Sequence, residues 1–455
     1  MKPFRLLVVS VLAFAYAIPQ AQDTRITVIT GATLIDGTSR PSLQDSVIVI
    51  DGARIRQLGP RAAIAVPAGA DVIDGQGKFV IPGLSDMHHH LISGTMNPVV
   101  NPRLVLRRML AVGVTTIFNP SVSLKDFALL KAAAAEDTAP FARFFGTGPI
   151  VTIEGDFFGA QVGAPMPQTP AQAQGVVRDL EAAGVDAIKV QRDDLSWSVK
   201  GRFPTMEPDV LTALVREAHA RQLKVFAHAP MLRQAKEALR AGADGLMHGI
   251  IDEPVDQEFL TLMQRNGASY VSTMALYHDV GDVEAWARRQ APNWDRAGLQ
   301  PPRFYEQFTS PAAAAKFEAI FTNAPYTKQR LPVQRANLKT VFDAGVPVVL
   351  GTDTGFIGIL VGAATQIELE LLVDAGLTPA DALRAATLNA ARMIGKDKEL
   401  GTLEAGKAAD LVILDADPLA DIRNVTRIHR TLKGGVVYEP IDPAKPLGPA
   451  PGRGQ

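Results

Sequence analysis

Two kinds of hydrophobic pattern divide the chain. Residues 25–80 hold short runs in which apolar and polar positions alternate with a period of two, typical of strands with one solvated face. Asp51-Gly52 separates the runs Ser46–Ile50 and Ala53–Leu58 and predicts a β-hairpin whose two central residues both take positive φ. This unit is incomplete alone, so we predict that it pairs with the similar pattern at 409–438 in one small β-sandwich built from both termini.

Between these ends, strand-like and helix-like stretches alternate. Leu211–Arg221 has apolar residues at helical spacing after Pro208, and Arg233–Arg240 predicts another helix that ends near Gly242. An apolar run before His88 and seven further strands predict an α/β fold, a (β/α)₈ TIM barrel whose site lies at the C-terminal ends of its strands. The seven strands are Val114–Phe118, Arg143–Gly146, Val185–Val190, Lys224–Ala227, Asp244–Met247, Ser269–Ser272 and Val346–Leu350.

The predicted domain boundaries follow these patterns. The β-sandwich takes residues 24–80 and 396–440, and the barrel takes 81–395. Residues 441–455 are rich in proline and glycine and are predicted to be a disordered tail. Asp279–Gln334 is too long for a single connection, so we expect helices there that lie over or beside the site.

The first residues bear on localisation. Lys2 and Arg5 precede an apolar run, Leu6–Ile18, which is too short to span a bilayer comfortably and is followed by small residues. This predicts a signal peptide over residues 1–21, with an uncleaved anchor as the alternative. We therefore expect an exported protein, periplasmic or secreted, without stable membrane association after cleavage.

Composition narrows the range of functions. The 455 residues are 47% hydrophobic and 20% charged, enough to build a large core. The net charge of −1 gives no basic surface, so nucleic acid is not expected as a partner. The chain has no cysteine, which excludes disulfides, cysteine-ligated zinc and thiol catalysis.

Three consecutive histidines follow the first predicted barrel strand. In an extended segment side chains alternate between faces, so His88 and His90 share one face and His89 points the other way. Two imidazoles on one face can bind one metal ion from two directions. The alternative is a solvated histidine-rich turn.

Four more polar residues stand at or near strand ends, each on a different strand. Lys189 lies within an apolar strand, and His228, His248 and Asp353 follow apolar runs. Alone, such a histidine is more often a hydrogen-bonded core residue, and such an aspartate is often a helix cap. A buried lysine is costly, so we expect it to have a partner or to be chemically changed.

Taken together, these residues resemble a known family. The pattern Asp-x-His-x-His, Lys, His, His, Asp is similar to that of the amidohydrolase superfamily, and the surrounding segments match as well. The subgroup it resembles holds the imidazolonepropionase-like and Xaa-Pro dipeptidase (prolidase-like) enzymes. The matching segments include Ile81–His88, Gly113–Thr116, Ala241–Gly245, Gly351–Thr354, Thr378–Leu383 and Gly401–Asp410.

The resemblance implies a pair of divalent metal ions. His88 and His90 would bind the more buried ion, and His228 and His248 the more exposed one. Lys189 would be N6-carboxylated and bridge both ions, and Asp353 would bind metal and transfer protons. Such ligands suit Zn²⁺, with Mn²⁺ or Co²⁺ as alternatives.

Substrate contacts are predicted less directly. Tyr277, with His278 beside it, resembles a family residue that binds a substrate carboxylate or an oxyanion, although a buried tyrosine often only finds a hydrogen-bond partner. Arg192 could also meet a carboxylate, or pair at the surface with Asp193 or Asp194. The family's Gly-Gly-His stretch is replaced at 152–160 by a segment without histidine, which leaves the substrate open.

Three functions are therefore compared. The first is hydrolysis of an amide bond in a small molecule, a dipeptide or an N-acyl amino acid. The second is opening of a cyclic amide, imidazolone or lactone at the same centre. The third is a non-catalytic binding barrel. Barrels of this kind often associate, so a homo-oligomer is an alternative to a monomer.

Overall fold

The computed structural model describes residues 26–91, 93–94, 97–98, 102–156, 163–199, 201–281, 324–355 and 362–440. The predicted signal peptide, the tail at 441–455 and most of the predicted insertion at 279–334 lie outside these ranges. Within the described ranges, no helix is both long enough and apolar enough to cross a membrane.

The strands fall into a mixed group, a parallel group and one short antiparallel pair, Ser93–Gly94 with Asn97–Pro98. In chain order the strands are β1 (Ile26–Leu34), β2 (Leu43–Asp51), β3 (Arg54–Pro60), β4 (Asp71–Asp74), β5 (Phe79–Pro82), β6 (Leu84–Asp86), β7 (Ser93–Gly94), β8 (Asn97–Pro98), β9 (Val114–Asn119), β10 (Arg143–Gly146), β11 (Ile188–Gln191), β12 (Val225–His228), β13 (Gly245–Leu246), β14 (Ser269–Val271), β15 (Val348–Val349), β16 (Leu411–Leu414), β17 (Ile428–Lys433) and β18 (Val436–Tyr438).

The first and last strands form one mixed sheet of eight strands. Its order is β18-β17-β16-β5-β1-β2-β3, with β4 beside β1. The junction between the two ends is the antiparallel pair of β5 with β16, in which Val80 faces Ile413. The predicted pairing of the termini is confirmed, and both halves belong to a single hydrogen-bonded sheet.

The predicted hairpin forms, with its turn one residue later than expected. Asp51 pairs with Arg54, so the two turn residues are Gly52 and Ala53. Of these two, only Gly52 has a positive φ, at 55°. A glycine at the first turn position supplies the backbone twist that the flanking strands need, so the requirement for two positive φ values was wrong.

Two groups of parallel strands hold the middle of the chain. β6, β9 and β10 form a three-stranded sheet, and β11 to β15 form a five-stranded sheet. Parallel bridges link the two at both seams, Val151 to Val190 on one side and His89 to Thr354 on the other. The alternation of strands and helices predicted for this region is confirmed.

The strand that leads to the histidines differs from the prediction. The apolar run Phe79–Pro82 belongs to the mixed sheet, and the parallel strand is the separate segment Leu84–Asp86. The break falls at Gly83, where a Cβ atom would lie 2.2 Å from Thr115 Oγ1. Only glycine leaves room for the Thr115 side chain at the point where the chain leaves one sheet and enters the other.

The helices cover most connections between the parallel strands. α4 begins at Pro208, as predicted, and α5 ends at Gly242, whose φ of 104° fits a left-handed C-cap. The helices are α1 (Pro102–Met109), α2 (Leu124–Ala133), α3 (Pro170–Ala182), α4 (Pro208–Ala220), α5 (Leu232–Ala241), α6 (Gln257–Asn266), α7 (Met274–Gly281), α8 (Ala324–Asp343), α9 (Ala363–Asp374), α10 (Pro379–Ala385) and α11 (Leu388–Met393).

An apolar layer lies beneath the predicted site residues. It packs side chains from seven parallel strands or their ends, and α11 contributes Ala390 and Met393. Because Ala187 and Phe226 belong to this layer, the residues two positions further along β11 and β12 face the same side. These residues are Lys189 and His228. The seven strand residues of the layer are Met87, Phe118, Ala187, Phe226, Met247, Val271 and Val349.

A buried ion cluster joins the mixed sheet to the parallel strands. Arg143 on β10 donates to Asp410 through Nε at 2.6 Å and Nη2 at 3.0 Å, and also contacts Asp137. Asp410 accepts a third hydrogen bond from the Gly434 backbone N–H at 2.8 Å. Opposed carboxylates raise the pKa of Arg143 despite its burial, so the guanidinium stays charged.

We expect Asp410→Ala to lower the free energy of unfolding by about 3 to 5 kcal/mol, because it leaves a largely buried guanidinium without its main partner. Denaturant unfolding measures this value. The control is Arg178→Ala, which removes the more exposed pair with Glu217 and should change stability by less than about 1 kcal/mol. Equal losses in the two variants would contradict the expectation.

Candidate metal centre

His88, His90 and Asp353 converge at the C-terminal ends of the first and last parallel strands. His88 Nε2 and His90 Nε2 lie 3.2 Å apart, and Asp353 Oδ1 lies 3.2 Å and 2.9 Å from them. Asp353 takes a left-handed backbone conformation, with φ of 60°, and its N–H donates to the His88 carbonyl at 2.7 Å. A backbone contact thus locks the aspartate beside the two histidines.

His89 has a different role from its neighbours. Its Nδ1 lies 3.2 Å from Asp86 Oδ2, on the side away from the cluster. Asp86 also accepts from the Thr352 hydroxyl at 2.7 Å and from the His88 N–H at 3.2 Å. This fully buried carboxylate therefore ties the segment that carries the histidines to the segment that carries Asp353.

His228 and His248 form a second pair. His228 Nδ1 and His248 Nε2 lie 2.8 Å apart. The other ring nitrogens have partners: His228 Nε2 is 3.1 Å from Asp193 Oδ2, and His248 Nδ1 is 3.0 Å from the Thr273 hydroxyl. A carboxylate or hydroxyl on the far nitrogen fixes the orientation of an imidazole so that the near nitrogen can bind metal.

The two pairs adjoin. The rings of His88 and His248 lie 4.6 Å apart, and His88 Nδ1 donates to the Met247 carbonyl at 2.8 Å. Burial, reinforced by the neighbouring cations, lowers the pKa of His88 and of His248 well below the usual value. Both rings are therefore neutral at physiological pH, the form in which imidazole binds metal.

Lys189 completes the group from within the strand. Its side chain is buried, and Nζ lies 3.4 Å from His88 Nε2. Burial lowers the pKa of Lys189 to about 7, and the charge of Asp353 only partly opposes this. The ammonium form is thus poorly stabilised, which is consistent with the expectation that the lysine has a partner or is chemically changed.

The donor set fits a metal ion. Asp353 Oδ1 is buried and accepts no hydrogen bond from the described residues, although two imidazole nitrogens lie within 3.2 Å. His88, His90 and Asp353 each offer one ligand atom within 4.8 Å of the others. Neutral nitrogens and a carboxylate oxygen facing one another without protons repel, and a divalent cation between them relieves this.

The predicted substrate residues have diverse surroundings. Tyr277 lies on α7 with its ring 6.0 Å from that of His248 and 5.1 Å from that of Trp197. Its hydroxyl is buried and has no partner among the described residues, and burial near Asp193 and Asp353 raises its pKa well above normal. His278 lies on the same helix, and its side chain is outside the described set.

Arg192 was predicted to meet a substrate carboxylate or to pair at the surface with Asp193 or Asp194, and the structure instead pairs it with Glu237. Its guanidinium is buried, contacts Glu237 at 2.5 Å, and donates to the Thr205 hydroxyl at 2.6 Å and the Met206 carbonyl at 2.6 Å. The expected surface pairing with Asp193 or Asp194 was wrong, because the strand directs the arginine toward α5. A role of Arg192 in substrate binding stays a prediction, and a substrate carboxylate would have to compete with Glu237 for the guanidinium.

Sequence reasoning missed the role of Asp193. This carboxylate is fully buried and accepts from Trp197 Nε1 at 2.8 Å while it contacts His228. The turn that brings Trp197 back depends on Leu195, whose φ of 55° no local sequence signal indicates. The only available signal was the position of Asp193 four residues after Lys189, just past the strand end.

The chain is similar to known proteins along most of its length. The family model for the amidohydrolase family matches residues 79–437, so the chain belongs to this family. An imidazolonepropionase from Micrococcus luteus is 28% identical over 412 residues, covering 87% of this chain and 93% of that protein. Ochratoxinase from Aspergillus niger is 24% identical over 467 residues, covering 93% and 88%.

Solved structures agree at the level of the fold. The crystal structure of a Xaa-Pro dipeptidase with bound methionine has a TM-score of 0.73 and 23% identity, covering 91% of this chain and 100% of that chain. The chain is therefore a hydrolase that acts on carbon–nitrogen bonds, and it resembles the imidazolonepropionase-like and prolidase-like members of its family. Its family acts on small molecules and is generally metal-dependent.

We expect Asp193→Ala to weaken metal binding by about 10- to 100-fold, because His228 would lose the carboxylate that orients its ring. Competition with a chromophoric chelator measures the dissociation constant. The control is Asp194→Ala, since Asp194 is adjacent but bonds to Ser196. The same dissociation constant for the wild type and for Asp193→Ala would contradict this role.

Proposed function

We propose that this protein is an exported, metal-dependent amidohydrolase that cleaves an amide bond in a dipeptide or N-acyl amino acid. The observation that carries the proposal is the convergence of His88, His90, Lys189 and Asp353 with the pair His228–His248. These six residues come from five separate segments of the sequence. We also propose that the ring of parallel strands is a (β/α)₈ barrel, with the site at the mouth where its strands end.

The proposed cofactor is a pair of Zn²⁺ ions, with Mn²⁺ or Co²⁺ as alternatives. His88 and His90 would hold one ion and His228 and His248 the other, with an N6-carboxylated Lys189 shared between them. Carboxylation would replace a poorly stabilised ammonium with an anion that can bind in two directions. When bound, such ions make a hydroxide available near neutral pH and polarise a carbonyl.

Asp353 has the position expected of the proton-transfer group. Its buried carboxylate lies within 3.2 Å of two ligand nitrogens and is held by the backbone contact to His88. It would take a proton from the attacking water and pass that proton to the nitrogen of the departing amine. Positioned acid–base groups typically contribute about 10²- to 10⁴-fold to a rate.

The second candidate is opening of a cyclic amide, imidazolone or lactone. The observation that favours it is the match to an imidazolonepropionase over 87% of this chain. The described residues supply the same hydrolytic groups for either substrate class. The two candidates differ in their products, because a linear amide releases a free amine and a ring does not.

The test is an assay of the full chain, loaded with Zn²⁺ or Mn²⁺, against dipeptides, N-acyl amino acids, lactams and lactones. Amine release from linear substrates, abolished by chelation and restored by metal, is the expected result. Ring opening without amine release would favour the second candidate. A metal-free protein that gains no activity with either ion would instead support the binding-barrel alternative.

A further inference from the structure

Gln191 is a polar side chain that the proposed chemistry does not use. It is the last residue of β11, and 2% of its surface is exposed. Neither its amide oxygen nor its amide nitrogen has a hydrogen-bond partner within the part of the chain that the structure describes. Buried polar groups are nearly always paired in folded proteins, so an amide with both ends free suggests a ligand that the protein expects.

The strand geometry places Gln191 at the site. Ala187, Lys189 and Gln191 follow one another at a period of two and share a face of β11. Ala187 lies in the apolar layer. Lys189, two residues further along, lies one layer above it, where its Nζ is 3.4 Å from His88 Nε2. Gln191 therefore lies one layer nearer the C-terminal mouth, on the substrate side of the predicted metal ligands.

The pairing register of β11 and β12 places Gln191 next to His228. Gln191 pairs with His228 across β11 and β12, and adjacent strands are about 4.8 Å apart. Its backbone N–H donates to the Val151 carbonyl at 2.9 Å, which fixes the strand end that carries the side chain. The amide is thus held beside one of the predicted ligands.

We infer that the Gln191 carboxamide is a specificity-determining group that binds a second, uncharged amide of the substrate, next to the scissile bond. This inference rests on the proposed metal-dependent amide hydrolysis, and it shifts the preferred substrate from the free acids to their carboxamide forms, a dipeptide amide or an N-acyl amino acid amide. A carboxamide offers one donor group and one acceptor, and another amide complements both. A carboxylate could satisfy only the donor and would face the amide oxygen with negative charge.

The neighbouring arginine supports an uncharged ligand. Arg192 is already paired with Glu237 through a contact of 2.5 Å, so its charge is compensated within the protein. Tyr277, whose hydroxyl is also free among the described residues, is neutral because its pKa is raised. Gln191 and Tyr277 therefore offer uncharged hydrogen-bonding groups that are unpaired among the described residues, while the charge of Arg192, whose Nε also has no partner there, is compensated by Glu237.

The test combines three compounds with two enzymes. The compounds are an N-acyl-phenylalaninamide, the matching N-acyl-phenylalanine, and the N-acyl-phenethylamine that lacks the second polar group. The enzymes are the metal-loaded wild type and Gln191→Leu, which keeps the side-chain size but removes both hydrogen-bonding atoms. Both kcat/KM and calorimetric Kd are measured, with metal content and Tm as controls for folding.

The expected result is selective. Gln191→Leu should lower kcat/KM or raise Kd by about 10- to 100-fold for the amide, and by less than about threefold for the phenethylamine. Equal losses on all three compounds, or no loss on any, would overturn the inference. Failure of the proposed function is a separate outcome, since it appears as wild-type protein that cleaves none of the compounds, and selective binding in the calorimeter would still support Gln191.

Discussion

Lys189→Ala is expected to lose most of its bound metal and at least about 10³-fold of its hydrolytic rate. The variant removes the group that we propose is shared between the two pairs of histidines. Its Nζ lies 3.4 Å from His88 Nε2, and the side chain is enclosed, so solvent cannot easily replace it. Two-metal sites depend on a bridging ligand to hold both ions close together.

Elemental analysis of dialysed protein measures the metal content. The matched control is Lys433→Met, because Lys433 is also buried and its pKa is also lowered by burial, to about 8, but its Nζ donates to the carbonyls of Glu136 and Ala139. That variant should keep the wild-type metal content. One full ion with retained activity in Lys189→Ala would instead point to a single-metal centre.

The second large effect is expected for Asp353→Asn. We expect kcat to fall by about 10²- to 10⁴-fold, because an amide cannot accept the proton of the attacking water or return it to the leaving amine. The fold should survive, since the backbone contact to His88 at 2.7 Å does not use the side chain. Steady-state kinetics under saturating metal separates this loss from weaker metal binding.

Asp244→Asn is the matched control for this experiment. Asp244 is a carboxylate that accepts from the Val225 N–H at 2.8 Å. It lies at the N-terminal ends of β12 and β13, whereas the proposed metal ligands lie at the C-terminal ends of the parallel strands. It should change kcat by less than about threefold, because it touches no proposed ligand. If Asp353→Asn with a full complement of metal kept wild-type kcat, Asp353 would have no role in proton transfer.

The sequence was most informative where local pattern and chemistry coincide. His228, His248 and Asp353 each follow an apolar run, and parallel strands deliver such residues to one edge of a sheet. The alternation of strands and helices in the middle of the chain was predictable for the same reason. Each of these features is encoded within a few neighbouring residues.

Features that depend on distant contacts could not be predicted. The break at Gly83 exists because Thr115 packs against that glycine, and the two residues are on different strands. Arg192 pairs with Glu237, which is 45 positions away. Asp193 becomes buried only because the left-handed turn at Leu195 folds Trp197 back over it. The roles proposed for the metal ligands remain predictions that the experiments above test.

The pairing of β5 with β16 has a consequence for how the protein is made. The N-terminal strands leave the ribosome first, but β5 acquires its partner Leu411–Leu414 only after the whole parallel unit has been synthesised. Until then β5 presents an open edge, which is a site for unwanted pairing. Assembly of the mixed sheet must therefore finish late. A chain that stalls before residue 411 would carry the parallel strands and their helices attached to an incomplete sheet with an unpaired, aggregation-prone edge.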